Sequence, residues 1–320
     1  MTGELHLGVA LEGYGWHPQA WRYTADAPPV TSGRYWSAVA TTAERGLLDF
    51  VTFDDSLTPQ RRRRPEIKPG WLAGRPDAVL VAARVAPVTR HLGLIPVATT
   101  THTTPVNVSK ALATLGLLSH GRAGWQARIS GTRHEAELFG RRDPDNLGDL
   151  FAEASDAVEV VRRLWPPQCQ PVVAALAHTS LVYEFDARST DLVFITPRDD
   201  DSLATIMAEV ADAGGQDLQV YADIYVTFSG EVDDRCDATV FHGSPDELAN
   251  WILRWNRLGL DGIRLRPAVT ATDLPVIVDE LVPLLQQAGR FRSAYRDGET
   301  LRERLGLPVA VNHYARETNS

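Results

Sequence analysis

A chain of 320 residues is long enough for one large α/β domain or two ordinary ones, and 44% hydrophobic with 23% charged residues is typical of globular proteins. The net charge of −9 argues against general nucleic-acid binding, because no broad basic surface displaces phosphate counterions. Two cysteines, Cys169 and Cys236, are too few for a disulfide framework. The first residues lack a signal-peptide pattern and no apolar run has membrane-spanning length, so a cytoplasmic protein without membrane contact is predicted.

The chain opens with alternating strands and helices. Four elements are predicted before residue 90, namely strands over 5–11 and 48–53 and helices over 32–45 and 77–86. Ser32 is a suitable N-cap for the first helix. The second strand ends on two carboxylates, Asp54 and Asp55, which point to opposite faces and therefore do not form an acid–base pair.

Residues 91–130 are predicted to form one strand–helix–strand unit. An apolar strand is predicted over 91–98, and a helix over 106–118 carries apolar residues at helical spacing. Pro105 suits the first turn of this helix, because its ring fixes φ and its missing N–H has no partner there. Gly121 suits the left-handed conformation that ends the helix.

Polar and aromatic side chains follow both strands of this unit: Thr100, Thr101 and His102 after the first, and Trp125, Gln126 and Arg128 beyond the end of the second. Ligands of parallel α/β proteins bind at the carboxyl ends of the strands. The unit therefore predicts a ligand site at this edge of the sheet.

The second half keeps the same alternation. Strands are predicted over 171–176, 191–195, 218–228 and 261–265, and helices over 146–165, 179–187, 200–213, 244–258 and 273–287. Eight strands alternating with eight helices favour a closed (β/α)₈ barrel, for which about 250 residues are typical. A doubly wound open sheet is the alternative. One domain is predicted over 1–320, with a polar tail over 290–320 that packs on the barrel or is mobile.

Four stretches, 15–22, 43–57, 86–101 and 118–125, carry a resemblance to a known family, and weaker likeness continues to 165 and through 171–194 and 243–265. The chain resembles the bacterial luciferase-like flavin monooxygenases, in the branch that contains nitrilotriacetate and dibenzothiophene-sulfone monooxygenases. The resemblance implies an α/β fold, a (β/α)₈ TIM barrel with shortened insertions. It also implies binding of reduced FMN, supplied by a separate flavin reductase, and the use of oxygen to oxygenate a small organic substrate.

The resemblance implies roles for residues around the flavin ring. Asp55 matches the family's acidic residue near the flavin, after the second strand. Thr100 or Thr101 matches the hydroxyl residue after the third strand. Gln126 stands where the family's Gly-Trp-Asn motif has asparagine, near the pyrimidine side of the ring.

At the phosphate end, Thr179 matches the family's serine after the fifth strand, and Ser180 follows it. The family's loop there is rich in glycine and other small residues, whereas this chain has Leu181 and Val182. Glycines allow a backbone to approach phosphate closely, so this difference keeps a cofactor-free role open.

Further candidates come from residue chemistry. His102, His17 and Asp55 are candidate catalytic residues, the histidines because imidazole exchanges protons near neutral pH and Asp55 because carboxylates at the ends of barrel strands commonly act in catalysis. Arg128 is a candidate for an anionic substrate or the flavin phosphate. The run Arg61, Arg62, Arg63 and Arg64, with Lys68, is interpreted as a solvated loop, with an anion gate as the alternative. No His, Cys or Asp cluster has metal-ligand spacing.

The leading prediction is an FMN-dependent monooxygenase. A deazaflavin-dependent hydride transfer on the same barrel is one alternative, and a cofactor-free binding protein or partner subunit is another. A homodimer is predicted from the helical stripe Val158, Val161, Leu164 and Trp165, which is expected to form an apolar outer face.

Overall fold

The computed structural model describes residues 4–24, 27–56, 75–140, 146–166, 169–230, 232 and 236–309. The arginine run at 61–64 and Lys68 lie outside these ranges, so their role stays a prediction.

Within the described ranges, nine parallel strands form the sheet: β1 (His6–Leu11), β2 (Phe50–Phe53), β3 (Gly93–Thr99), β4 (Gly124–Arg128), β5 (Val172–Leu176), β6 (Leu192–Ile195), β7 (Gln219–Thr227), β8 (Thr239–His242) and β9 (Gly262–Pro267). Strands β1 to β7 pair in order, β7 pairs with β9, and β9 pairs with β1, so eight strands close a barrel. The predicted (β/α)₈ barrel is confirmed.

Strand β8 was not predicted. It pairs with the last residues of β7, where Ile224 lies beside Thr239, while β6 pairs with the first residues of β7. A four-residue strand with a single buried residue, Phe241, has too little alternation to be recognised from sequence. It widens the carboxyl end of the barrel without adding a member to the closed ring.

Eleven helices are described: α1 (Gly33–Arg45), α2 (Ala78–Val85), α3 (Pro105–Leu118), α4 (Arg133–Leu138), α5 (Leu147–Leu164), α6 (Ser180–Ser189), α7 (Asp200–Asp212), α8 (Pro245–Arg257), α9 (Thr270–Val276), α10 (Val282–Gln287) and α11 (Leu301–Arg304). The Ser32 side chain caps α1 by accepting from the Arg34 N–H, as predicted. The short helices α4 and α11 were not predicted.

The predicted helix over 273–287 is divided into α9, a π-helical turn over Ile277–Leu281, and α10. Pro275 lies inside α9 and has no N–H to donate, and the wider turn follows it directly. The helical path is continuous, so the prediction was right in extent and wrong in regularity.

The end of β4 differs from its prediction. Trp125, Gln126 and Arg128 lie within the strand rather than beyond it. Gln126 pairs in register with Val97 of β3 and Ala174 of β5. Pairing with β3 continues as far as Arg128, which lies beside Thr99, and extends the strand although polar residues there favour a loop on sequence alone.

The tail closes the amino-terminal end of the barrel. Leu301 and Leu305 of α11 are fully buried and pack with interior residues that include Phe50, Ile95 and Tyr221. Burying two leucines in this way contributes about 3–6 kcal/mol before entropic costs. Of the two outcomes predicted for the tail, packing on the barrel is observed for Phe291, Leu301 and Leu305.

The prediction of an apolar stripe on the outer face of α5 is wrong. Val158, Val161 and Trp165 are buried in a core cluster with Trp125 and Val173, and only Leu164 is exposed. These side chains hold α5 against the barrel and leave no continuous apolar stripe on its outer face. The homodimer was predicted from this stripe, so that prediction no longer has an observation to support it.

None of the helices in the described ranges combines the length and the apolar composition that a membrane span needs. Cys169 and Cys236 are both free thiols.

Candidate functional site

A cavity of about 360 Å³ opens at the carboxyl ends of the barrel strands. Its walls come from the ends of β1 to β5 and β9, from α5 and α6, and from the loop before β8. The lining residues are Trp16, Asp54, Arg75, Thr100, Gln126, Ala127, Arg128, Ile129, Phe151, Ala154, Ala175, Leu176, Val182, Phe185, Asp237 and Arg266. One wall is apolar and the opposite wall is charged.

The charged wall begins with an ion-paired group after β1 and β2. Arg75 donates to Glu12 Oε1 at 2.6 Å and lies 3.0 Å from Asp54 Oδ2. Burial raises the pKa of Glu12, and Arg75 offsets this only in part. Two carboxylates thus share one guanidinium at the rim, and Asp54 faces the cavity.

Beneath the cavity lies a buried charged network inside the barrel. Asp223 of β7 accepts from Arg264 at 2.6 and 2.5 Å, and from Arg266 Nε at 2.8 Å. All three side chains are at most 2% exposed. Asp223 lies between two guanidiniums, and Asp237 supplies a second carboxylate to Arg266, so two negative charges balance two positive ones. The pairing stabilises each charge where water is excluded.

The network reaches the cavity through Arg266. Its Nη1 donates to Asp237 Oδ1 at 2.5 Å, and its guanidinium stacks over the Trp16 ring at 4.6 Å. His178 Nε2 lies 3.4 Å from the other oxygen of Asp237. Burial would raise the pKa of Asp237, but His178 and Arg266 outweigh it and lower the pKa. Asp237 is therefore an ionised carboxylate and not a proton donor.

Gln126 links the network to the cavity floor. Its side-chain oxygen Oε1 accepts from Arg264 Nη1 at 2.7 Å, and the residue is 7% exposed. Gln126 is also one of the lining residues. Within the described part of the chain its Nε2 has no hydrogen-bond partner, so this amide group is available to a ligand.

Thr100, Thr101 and Arg128 lie at the ends of β3 and β4, as predicted for neighbouring strands. Thr100 lines the cavity, and its backbone N–H and its hydroxyl both donate to the Arg128 carbonyl, at 2.8 and 3.2 Å. The Thr101 hydroxyl accepts from the Ser130 N–H and does not line the cavity. Arg128 lines the cavity, and its guanidinium donates to the Asp55 carbonyl oxygen rather than to a carboxylate.

The Asp55 carboxylate accepts hydrogen bonds from the backbone. Its two oxygens accept from the N–H groups of Ser56 at 2.7 Å and Ala78 at 3.1 Å, which anchors the start of α2. Burial raises the pKa of Asp55, and these two bonds act in the opposite direction. Asp54, the neighbour on the other strand face, is the carboxylate that lines the cavity.

Neither candidate histidine lines the cavity. His102 has a left-handed φ of 65°, and its ring stacks on Phe139 at 4.9 Å between ring centres. His17 Nδ1 accepts from the Gln19 N–H at 3.1 Å, which shapes its own loop. The structure brings these rings near the mouth of the barrel but not into contact with the cavity space.

The predicted phosphate residues lie at the start of α6. Thr179 is the exposed N-cap residue, and its hydroxyl does not bond to the helix. Ser180 is the first helical residue, and its side chain lies outside the described part. Val182 lines the cavity one half-turn later. The helix start therefore borders the cavity, and its first N–H groups have no helical acceptors.

The buried network was missed from sequence although a signal was present. The strand predicted over 261–265 contains Arg264 but stops one residue short of Arg266, and the observed strand includes both, so the two side chains point to the same face. Asp223 lies in the middle of another buried strand. Charged residues on buried strands are almost always paired, so the two arginines are expected to pair with Asp223 across the barrel. Among the described residues, no group of His, Cys, Asp or Glu forms a metal site.

A family model described as "Luciferase-like monooxygenase" matches residues 16–208, which is more than half of the chain. N-acetyl-S-(2-succino)cysteine monooxygenase of Bacillus subtilis (strain 168) is 24% identical, over 98% of this chain and 99% of its own length. The alignment spans 442 positions, so that relative carries segments that this chain lacks.

Nitrilotriacetate monooxygenase component A of Aminobacter aminovorans is 34% identical over 170 residues, which cover 51% of this chain and 38% of that protein. The solved structure of EDTA monooxygenase from Chelativorans sp. BNC1 superposes with a TM-score of 0.81 at 17% identity, over 95% of this chain and 98% of that one. At this identity the structural likeness shows the fold. The resemblance stated from the sequence is confirmed.

Proposed function

The chain belongs to the luciferase-like monooxygenase family, and we propose that it takes reduced FMN from a separate flavin reductase and oxygenates a small organic substrate with O₂. The observation that carries this proposal is the cavity at the carboxyl ends of the strands, with hydrogen-bond donors of Gln126 and Arg128 on its wall. The single-domain organisation over 1–320 is part of the proposal.

The cavity fits a flavin in size and chemistry. Its volume of about 360 Å³ lies within the usual range of cofactor pockets, about 300–1,000 Å³. Phe151, Phe185 and Leu176 provide an apolar wall for a planar aromatic ring. The amide Nε2 of Gln126 provides a buried donor that matches a ring carbonyl.

The phosphate would be held by Arg128, Thr179 and Ser180 together with the first N–H groups of α6. Arg128 is suited to this because no carboxylate in the described structure binds its guanidinium, so its positive charge is not neutralised. Charge-assisted hydrogen bonds to phosphate are strong and geometrically specific. Val182 leaves the phosphate less room to approach the backbone than a glycine would. Side chains therefore contribute more of the phosphate binding in this chain.

A bound reduced flavin supplies the electrons and the oxygen chemistry. The chain's residues bind and orient it. Trp16, Phe151 and Phe185 exclude water from the cavity, and Gln126 and Thr100 orient the polar edge of the ring. Catalytic roles of His102, His17 and Asp55 stay predictions, since none of the three lines the cavity.

An anaerobic calorimetric titration tests the proposal. We expect reduced FMN to bind with micromolar affinity or better, about −8 kcal/mol, and reduced riboflavin to bind more weakly because it lacks the phosphate. The chain alone should not oxidise NADH, and oxygen uptake should begin when a flavin reductase is added. Failure to bind either redox form of FMN would overturn the proposal.

The other two functions predicted from the sequence are less well supported. The deazaflavin alternative is not favoured, because the two relatives reported above are named monooxygenases. Deazaflavin binding that is tighter than reduced FMN binding would restore it. The cofactor-free role rests on Leu181 and Val182 in place of the family's small residues, whereas the donors of Gln126 and Arg128 on the cavity wall favour the flavin role.

A further inference from the structure

The orientation of the Gln126 amide is fixed by its partner. An arginine side chain has donors only, so the Gln126 atom that lies 2.7 Å from Arg264 Nη1 must be the oxygen. The amide nitrogen therefore points away from Arg264. Because Gln126 is 7% exposed and lines the cavity, this nitrogen presents its N–H groups to the ligand space.

Arg264 is itself held rigidly. Two of its nitrogens bind Asp223 at 2.6 and 2.5 Å, and its guanidinium lies 3.6 Å from the centre of the Phe194 ring. At 2% exposure it has no room for another rotamer. The Gln126 amide thus cannot turn its oxygen toward the cavity without leaving a buried guanidinium donor unpaired, which costs about 1–3 kcal/mol.

We propose that Arg264 is a positioning residue that fixes Gln126 as a hydrogen-bond donor into the cavity, and that the pair thereby favours the reduced flavin ring over the oxidised ring. This inference rests on the proposed function, since it concerns the same cavity. Arg264 does not touch the ligand. It acts through the Gln126 amide, which it also polarises.

The preference follows from the charge of the two redox forms. The reduced flavin ring is electron-rich, and in its ionised form it carries negative charge shared with a carbonyl oxygen. A donor that is backed by a guanidinium binds such an acceptor more tightly than it binds a neutral carbonyl. Asp223 and Asp237 together balance the charges of Arg264 and Arg266, so the effect comes from the 2.7 Å contact of Arg264 Nη1 with the Gln126 oxygen and not from a net positive charge.

The test compares dissociation constants for reduced and oxidised FMN, measured anaerobically, in the wild type and in Arg264→Met. We expect the wild type to prefer reduced FMN and the variant to lose about tenfold of that preference. For a two-electron couple, a tenfold loss corresponds to a midpoint potential of the bound flavin about 30 mV lower. Asp223 retains Arg266 as a partner in this variant.

Gln126→Glu keeps the inference testable if Arg264→Met does not fold. The new carboxylate pairs with Arg264, so the fold is retained, but an oxygen replaces the N–H donors that face the cavity. We expect the preference for reduced FMN to fall by at least tenfold or to reverse. An unchanged ratio in a folded Gln126→Glu protein would overturn the inference.

Arg122→Met is the matched control for damage to the fold. Arg122 is as buried as Arg264, but it binds backbone carbonyls of Ser119, Leu92 and Ala86 at the opposite end of the barrel. We expect it to lower thermal stability and leave the ratio of the two dissociation constants unchanged. If the wild type binds no flavin, the proposed function fails and this inference with it. If the wild type binds flavin and the ratio does not respond to Arg264→Met, only this inference fails.

Discussion

The two ends of the barrel bury similar charged groups for different purposes. At the amino-terminal end, Asp49 accepts from His6 at 3.0 Å, from the Leu7 N–H at 2.7 Å and from Arg292 at 2.5 Å. At the carboxyl-terminal end, Asp223 holds Arg264 and Arg266 beneath an open cavity. The first network ties the tail to the barrel, and the second supports the floor of a binding site.

The difference lies in what remains available to a ligand. The amino-terminal end is covered by the buried side chains of Leu301 and Leu305. At the other end the amide nitrogen of Gln126 and the guanidinium of Arg128 both reach the cavity. Buried ion pairs alone therefore do not identify a functional site in this fold. A functional site is identified by hydrogen-bond donors that remain available to a ligand.

The largest expected effect is at the amino-terminal end. Asp49→Asn should cost about 3–5 kcal/mol in the free energy of unfolding at neutral pH, because it breaks a buried pair and leaves Arg292 without its carboxylate. The affinity for reduced FMN per folded molecule should not change. Urea unfolding together with calorimetry measures both. Loss of flavin binding at unchanged stability would contradict the division between the two ends.

This cost should depend on pH. Burial would raise the pKa of Asp49, but His6 and Arg292 outweigh it and lower the pKa to about 2. A depressed pKa contributes stability above the ordinary value near 3.8, and this contribution is lost as the pH falls toward 2. The stability difference between wild type and variant should therefore shrink over that interval. Asp279→Asn, in an exposed pair with Arg45, is the control and should cost less than about 1 kcal/mol.

The second effect is at the carboxyl-terminal end. Arg128→Met should weaken the binding of FMN about 10- to 100-fold, because a hydrogen bond to a charged group contributes about 1.5–3 kcal/mol. Riboflavin, which lacks the phosphate, should bind with nearly unchanged affinity. Arg257→Met on the outer face of α8 changes the net charge equally and is the control. Equal losses for FMN and riboflavin would mean that Arg128 does not bind the phosphate.

The smallest effect concerns α6, which borders the cavity. The carboxylate of Asp186 is fully buried, and burial raises its pKa well above the ordinary range, which Thr190 offsets only in part. Its deprotonation is thus disfavoured in the folded chain, so stability declines as the pH rises above about 4. Asp186→Asn should gain about 1 kcal/mol near pH 8 and less near pH 5.

Thermal unfolding at both pH values tests this prediction. Asp212→Asn, an exposed position on α7, serves as the control and should change stability at neither pH. A gain for Asp186→Asn that is equal at both pH values would show that ionisation of Asp186 is not its cause.

Local sequence patterns predicted the barrel well, because strand and helix periodicities are set by neighbouring residues. Ser32, Pro105 and Gly121 correctly marked helix boundaries. The errors arose where long-range contacts decide. Whether the α5 stripe faces the core or solvent depends on Trp125 and Val173, which are distant in sequence.

The site was predictable in position but not in its internal contacts. Gln126, Arg128 and Thr100 were expected at the strand ends and line the cavity. The roles of Asp54 and Asp55 depend on the turn that follows β2, because the Ala78 N–H captures the Asp55 carboxylate from 23 residues away. Likewise, only closure of the barrel shows that Arg264 of the last strand meets Gln126 of the fourth.

A crystal structure of the protein with FMN, reduced under anaerobic conditions, tests the central claim most directly. We predict flavin density in the cavity at the carboxyl end, with Gln126 Nε2 donating to a ring acceptor and Arg264 still bound to Gln126 Oε1. Flavin bound at another surface, or a Gln126 amide turned with its oxygen toward the ring, would contradict this account.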